Sequence, residues 1–323
     1  MAGSTPAVED TRNTRVSSFI RSLGRLDPWV LLLVLCAAFT IVLITLLLVV
    51  ELWVNSSLTR HKFGFDFLFS STWDPIAGKF GALPFIFGTV VTSFMALLFA
   101  VPLGVGSAIY LAELAPPRIS DGLTFCIELL AAVPSVIFGL IGIFILVPAM
   151  NVVIPPLQKV LGFLPIFSGT FYGVSILTAS VVLSIMIVPF IISISREVLL
   201  ATPTDLREAA LALGATKWES TWQVVIPYAR TGITGSVFLS LARALGETMA
   251  VTMVIGNTPR IQASLLAPGY SIAAVIANEF TEAAGDLYTS ALIELGLVLF
   301  ALTIVLNGVA RIMILATTER KSK

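Results

Sequence analysis

Hydrophobic positions fall in six long runs separated by polar segments, at 29–53, 84–111, 127–150, 171–194, 232–255 and 291–315. Each run is long enough to cross a bilayer, which takes about 20 apolar residues. The first carries a tryptophan at either end, Trp29 and Trp53, where membrane interfaces favour that side chain. Pro102, Pro134, Pro148 and Pro189 lie inside or at the edges of later runs. Backbone groups freed by a proline in a membrane are re-satisfied by neighbouring helices, so this pattern predicts a packed bundle of bent helices. The expected fold is an all-α membrane protein: a polytopic bundle of six transmembrane helices over 28–318. A polar tail precedes it at 1–27 and a short one follows at 319–323.

Composition supports the same picture. Of 323 residues, 57% are hydrophobic and 12% charged, where a soluble domain carries about 25% charge. Net charge is zero, so nothing points to a nucleic-acid partner. Cys36 and Cys126 sit in or beside apolar runs and His61 stands alone in a polar loop; no metal site is expected. The polar tail is not read as a cleavable signal, because the first apolar run starts only at Trp29 and is long enough to span.

Charge between the runs sets the orientation. With the amino terminus inside, 13 of the 19 Lys and Arg residues fall in inner segments. Five fall outside: Arg60, Lys62, Lys79, Lys159 and Arg260. The positive-inside rule therefore puts both termini in the cytoplasm, in a multi-pass protein of the cytoplasmic (inner) membrane. Two outer segments are long. Residues 55–83 are aromatic, and 257–290 carry an apolar stretch, Ile272 to Ile276, too short to span. That stretch reads as an interfacial or re-entrant helix, either packing over the bundle or docking an external partner.

The inner segment at 202–227 has its own pattern. Thr202 reads as a helix N-cap, Pro203 as the first helical residue, and Asp205 as an acid favoured at the positive helix end. A helix through Arg207–Leu213 then stops at Gly214, which suits a left-handed cap. A second short helix, from about Trp218 to Val225, ends before Pro227. Leu211, Leu213, Trp218 and Trp222 among charges make a knob at the membrane face, lying on the bundle or buried in a partner.

The fifth run contains Arg243 and Glu247. An arginine at mid-bilayer costs about 2.5–3.5 kcal/mol on insertion scales, so it must face the bundle interior or water. Four residues of spacing place Glu247 on the same helix face. The guanidinium fork matches the oxygens of an oxyanion. The pair reads equally as an oxyanion site or as an ion pair that locks helix packing.

Two stretches carry a resemblance. Glu208-Ala209-Ala210, Gly214 after three intervening residues, and Val224-x-Ile226-Pro227 resemble the EAA signature of ABC importer permeases, with both aliphatic positions conservatively substituted. Arg-Ala-Leu-Gly-Glu-Thr-Met-Ala at 243–250 resembles the fifth span of phosphate-specific ABC importer permeases, of the PstC rather than the PstA type. Residues 129–140 and 276–280 are similar to their third span and outer loop. The resemblance covers about residues 29 to 315. It implies an ABC type I importer-like permease domain whose coupling region, 202–227, lodges in a cytoplasmic ATPase through Glu208, Ala209, Ala210, Gly214, Ile226 and Pro227. It implies a substrate pathway along Arg243, Glu247 and Thr248. It also implies inorganic phosphate as cargo, and as partners a PstA-type second permease, a dimer of ATPase subunits and an external phosphate-binding protein. ATP and Mg would be bound by the ATPases, since this chain has no nucleotide-binding loop and is not itself an enzyme. Other readings are a permease for another oxyanion, such as molybdate or sulfate, or an ion-coupled secondary transporter, which would have no use for a docking knob.

Overall fold

The computed structural model describes residues 28–319. The polar tail at 1–27 and the cations at 320–323 lie outside them, as do their contributions to the charge count. The described residues are helical, with one isolated bridge between Asp74 and Lys79. Among the described residues, six helices are long and apolar enough to cross a membrane.

The chain packs as two units, divided after Val54. The first holds helix α1 (Pro28–Asn55) up to that boundary, almost wholly apolar, with its described side chains mostly exposed. The second holds α2 (Ser57–Phe63), α3 (Asp66–Phe69), α4 (Leu83–Ile109), α5 (Pro117–Ala131), α6 (Ser135–Ile141) and α7 (Val147–Leu161). It continues with α8 (Ile176–Leu200), α9 (Thr204–Ala212), α10 (Lys217–Ser220), α11 (Ile226–Leu245), α12 (Met249–Val254), α13 (Ile272–Glu279) and α14 (Asp286–Glu319).

α8 is the central helix of this unit. Within its most apolar stretch 72% is buried, against at most 33% in the other spans. Leu183, Met186, Ile187 and Ile191 of α8 meet Ala96 and Ala100 of α4, Phe138 of α6, and Ala250, Val251 and Val254 of α12. A second core lies at the end of this unit away from the 202–227 segment. There α13 buries Ile272, Ala274 and Val275 against Phe67, Phe80, Phe85, Leu292 and Leu295. The short apolar stretch after the fifth span is thus a packed helix, N-capped by Ser271, whose Oγ accepts from the Ala274 amide at 3.2 Å. Gly88 admits this layer: a Cβ there would lie 2.1 Å from the Tyr270 carbonyl oxygen.

Three turns widen to π geometry, at Tyr110–Leu114, Gly142–Leu146 and Thr221–Val225. Each closes on the amide immediately before a proline: Ala115 before Pro116, Val147 before Pro148, Ile226 before Pro227. A proline ring clashes with the carbonyl four residues back, and an extra residue in the preceding turn relieves that clash. Pro148 and Pro227 therefore sit inside continuous helices, and the helix at Trp218 does not stop before Pro227. It runs on, so that Lys217–Leu245 is one membrane-length helix of 29 residues.

The third span departs from its apolar run. Hydrophobicity begins near 127, yet α5 ends at Ala131 and the spanning helix is Ser135–Val160. Pro134 is extended (ψ 140°). It biases the residue before it away from helical geometry and lacks an amide to continue the ladder, so the chain breaks rather than kinks. The fourth span likewise starts at Ile176, where Ser175 caps it by accepting from the Thr178 amide at 3.1 Å.

Candidate functional site

The segment after α8 forms a small, exposed tip. α9 buries none of its side chains, and Glu208 and Ala209 are exposed. Its helix starts one residue later than the pattern predicts. Pro203 takes the N-cap position, and the Thr202 hydroxyl is buried without a hydrogen-bond partner. The far end matches the expectation closely. Gly214 has φ +91°, the Gly214 amide donates to the Leu211 carbonyl at 3.0 Å, and the Ala215 amide to Ala210 at 3.1 Å. These are the two bonds of a Schellman cap. A Cβ at Gly214 would meet nothing within 4 Å, so conformation rather than space demands glycine.

The chain re-enters helix through a capping box that the sequence reading passed over. Thr216 Oγ1 accepts from the Glu219 amide at 3.3 Å, and the Glu219 carboxylate accepts from the Thr216 amide at 2.8 Å. Thr-x-x-Glu is the pattern that signals it. Trp218 and Trp222, one turn apart, meet edge to face at 5.6 Å and stay about half exposed. With Leu213 90% exposed, this tip carries more apolar surface than a solvent-facing hairpin would.

Arg207, one residue before Glu208, ties the tip to the bundle. Its guanidinium donates to both oxygens of Glu113, at 2.8 and 3.4 Å. It also donates to the Leu199 carbonyl at 2.7 Å and to the Thr202 carbonyl. One side chain thus satisfies carbonyls at the end of α8 and grips the π turn that ends α4. Glu113 lies 94 residues away, beyond the reach of any local sequence signal. A lesser tie joins Arg196 of α8 to the Ser120 hydroxyl at 3.2 Å.

Arg243 is exposed in the last turn of α11, its guanidinium 5.5 Å from the centre of the Phe190 ring on α8. That is within cation–π range. Glu247 is not on the same helix. α11 ends at Leu245, Gly246 and Glu247 form a break, and α12 starts at Met249 with Thr248 as its N-cap residue. The expected shared helix face is therefore absent, and Arg243 and Glu247 make no ion pair. Glu247 instead accepts from the Ala250 amide at 3.4 Å, the favoured place for an anion at a helix start. Its carboxylate borders a narrow cleft lined by Thr89, Thr92, Ser93 and Ser271. The Thr92 hydroxyl there is buried and unpartnered. Among the described residues neither Arg243 nor Glu247 makes an ion pair, so a cation and an anion stand on either side of one break.

Glu279, at the end of α13, is not a freely solvated acid. It accepts from Trp73 Nε1 at 2.9 Å and from the Tyr288 hydroxyl at 2.6 Å. Burial raises the Tyr270 phenol above its ordinary range, with Asn278 donating to its oxygen at 3.2 Å.

A family model described as the binding-protein-dependent transport system inner membrane component matches residues 100–317. Curated relatives include three proteins named phosphate transport system permease protein PstC. That of Mesorhizobium japonicum is 49% identical, over 84% of each chain. The one from Xylella fastidiosa is 43% identical over 98% of this chain and 96% of its own. The Pasteurella multocida protein is 47% identical over 81% and 83%. Among solved structures, an inward-facing form of the MetNI methionine ABC transporter aligns with TM-score 0.53, 17% identity, and coverage of 76% of this chain and 99% of that one, a likeness of fold.

Proposed function

Because the chain belongs to the family of inner membrane components of binding-protein-dependent transport systems, we propose that it is the permease subunit through which an ATP-driven importer carries inorganic phosphate into the cell. Relatives named for phosphate, at 43–49% identity over most of their length, support this cargo over molybdate or sulfate. The chain is a multi-pass protein of the inner membrane, with both termini in the cytoplasm.

The observation that carries the reading is one uninterrupted helix from the exposed tip to the break. Lys217–Leu245 begins in the tip and ends beside Arg243 and Glu247. The sixteen residues from Pro227 to Arg243 span about 24 Å. Closure of two partner ATPases on ATP and Mg would push α9 and α10, with Glu208, Ala209, Ala210 and Gly214 seated in the ATPase cleft and Ile226 and Pro227 at the root. α11 passes that displacement to the break. Arg243 offers a charged, bidentate fork to phosphate oxygens, while Glu247 and Thr248 accept or donate hydrogen bonds to the partly protonated anion. Phosphate would arrive from an external binding protein, and a PstA-type permease would supply the other half of the pathway.

The test is phosphate uptake into vesicles that contain the assembled importer. Uptake that requires ATP, both ATPase subunits and this chain is expected. Uptake that continues without ATPase subunits would sink the reading.

A further inference from the structure

Residues 168–172 lead into the amino end of α8, the end opposite the coupling tip. There a cavity of about 360 Å³ opens between this turn and the loop after α12. Its character differs from that of the larger cavity beside Trp218 and Trp222, which is lined almost wholly by apolar side chains. Ser168, Thr170, Tyr172, Thr258, Gln262 and Arg260 line it, and no carboxylate does.

The donors in this cavity can be counted. Ser168 spends its hydroxyl proton on the Pro165 carbonyl at 2.7 Å, and Thr258 on the Gly256 carbonyl at 3.2 Å. The hydroxyls of Thr170 and Tyr172 and the amide of Gln262 make no hydrogen bond with a described residue, and Arg260 makes no ion pair with one. Backbone carbonyls of the turn, by contrast, are occupied. Gln158 donates to the carbonyls of Phe167 and Gly169 at 3.0 and 2.8 Å. Ser264 donates to those of Ser168 and Ile166 at 2.6 and 3.3 Å. These bonds also hold the wall in place. This open cavity, with solvent-exposed donors that no protein group holds, a guanidinium and several occupied carbonyls, suits an anion rich in oxygen acceptors.

We infer that this cavity is a first-contact site for a small oxyanion, which is inorganic phosphate if the function proposed above holds. Arg260 is its bidentate ligand, and Thr170, Tyr172 and Gln262 are hydrogen-bond donors around it. Arg260 follows α12 by a short loop, and Glu247 sits at the start of α12. The two anion-handling points therefore stand at opposite ends of one short helix. A phosphate arriving outside would be stripped of part of its water by Arg260 before reaching Arg243.

The test compares wild-type, Arg260→Gln and Arg260→Lys importers, each fully assembled. Equilibrium binding of radiolabelled inorganic phosphate is measured without binding protein, and uptake kinetics with it. Losing a charge-assisted fork is expected to weaken phosphate binding about tenfold in Arg260→Gln, raising KM while kcat holds, with Arg260→Lys in between. Unchanged phosphate binding in Arg260→Gln would overturn the inference. So would unchanged phosphate binding combined with weaker capture of the binding protein, which would make Arg260 a protein-docking contact. A wild-type importer that moves no phosphate would remove the functional reading and this site with it, an outcome visible before any variant is tested.

Discussion

Arg207 and Glu113 hold each other at 2.8 Å, with side chains 20% and 10% exposed. The pair joins the tip that would meet an ATPase to the end of α4, while the chain itself joins the tip to α11. Breaking a largely buried pair by removing one partner costs about 3–5 kcal/mol, because the other charge is left uncompensated. Arg207→Gln and Glu113→Gln should each lower the thermal midpoint of the detergent-purified complex. The double variant should lose less than the sum of the two. Phosphate uptake per ATP hydrolysed should fall in all three. Additive losses in the double variant would show that the two side chains do not act as a pair.

Gly214 is needed for its backbone angle, not for room. Replacing it with alanine should cost about 1–2 kcal/mol locally, since a left-handed residue with a Cβ is strained. The protein should still insert and assemble. Asparagine tolerates the left-handed region, so Gly214→Asn should keep more ATP-coupled uptake than Gly214→Ala despite its larger side chain. The reverse order would mean that the ATPase cleft, rather than the cap, excludes a side chain.

Arg243 should be indispensable to transport without being needed for folding, because it makes no ion pair with a described residue. Arg243→Gln is expected to reduce phosphate uptake at least tenfold with normal membrane levels and normal co-purification of partners. Arg243→Lys keeps the charge but loses the fork and the stacking on Phe190, and should fall between. Normal uptake in Arg243→Gln would make the residue a packing element only.

Glu279 should matter to the outer layer. Glu279→Ala removes the acceptor shared by Trp73 and Tyr288, and a hydrogen bond to a charged group is worth about 1.5–3 kcal/mol. Limited proteolysis from the outer side should cut the segment at 65–82 faster in this variant, and Trp73 fluorescence should shift. Glu279→Gln, which still accepts, should show a smaller effect.

Much of this was legible in the chain. Six apolar runs announced the spanning helices, since a bilayer demands about 20 apolar residues however they pack. The Thr202–Pro227 segment announced a helix with a glycine stop because caps are local chemistry. Other features were hidden for identifiable reasons. Hydropathy is continuous across Pro134, so the run concealed a break that backbone geometry imposes. Gly246-Glu247-Thr248 carries no proline and interrupts an apolar run only briefly, so Arg243 and Glu247 read as neighbours on one helix. Arg207–Glu113 and Trp73–Glu279 join segments 94 and 206 residues apart, where no spacing rule reaches. The capping box at Thr216 was written in the sequence and could have been found.

The π turn at Thr221–Val225 has one further consequence, for azimuth. An inserted residue in a helix rotates everything after it by about 100° relative to an unbroken α-helix. Removing one residue from Thr221–Val225 would leave α11 the same length and hydrophobicity, yet turn its whole face by that angle. Arg243 would swing off the Phe190 ring and present itself to a different neighbour. The residue that accommodates Pro227 at the membrane surface is thus also what aims the arginine about 24 Å away.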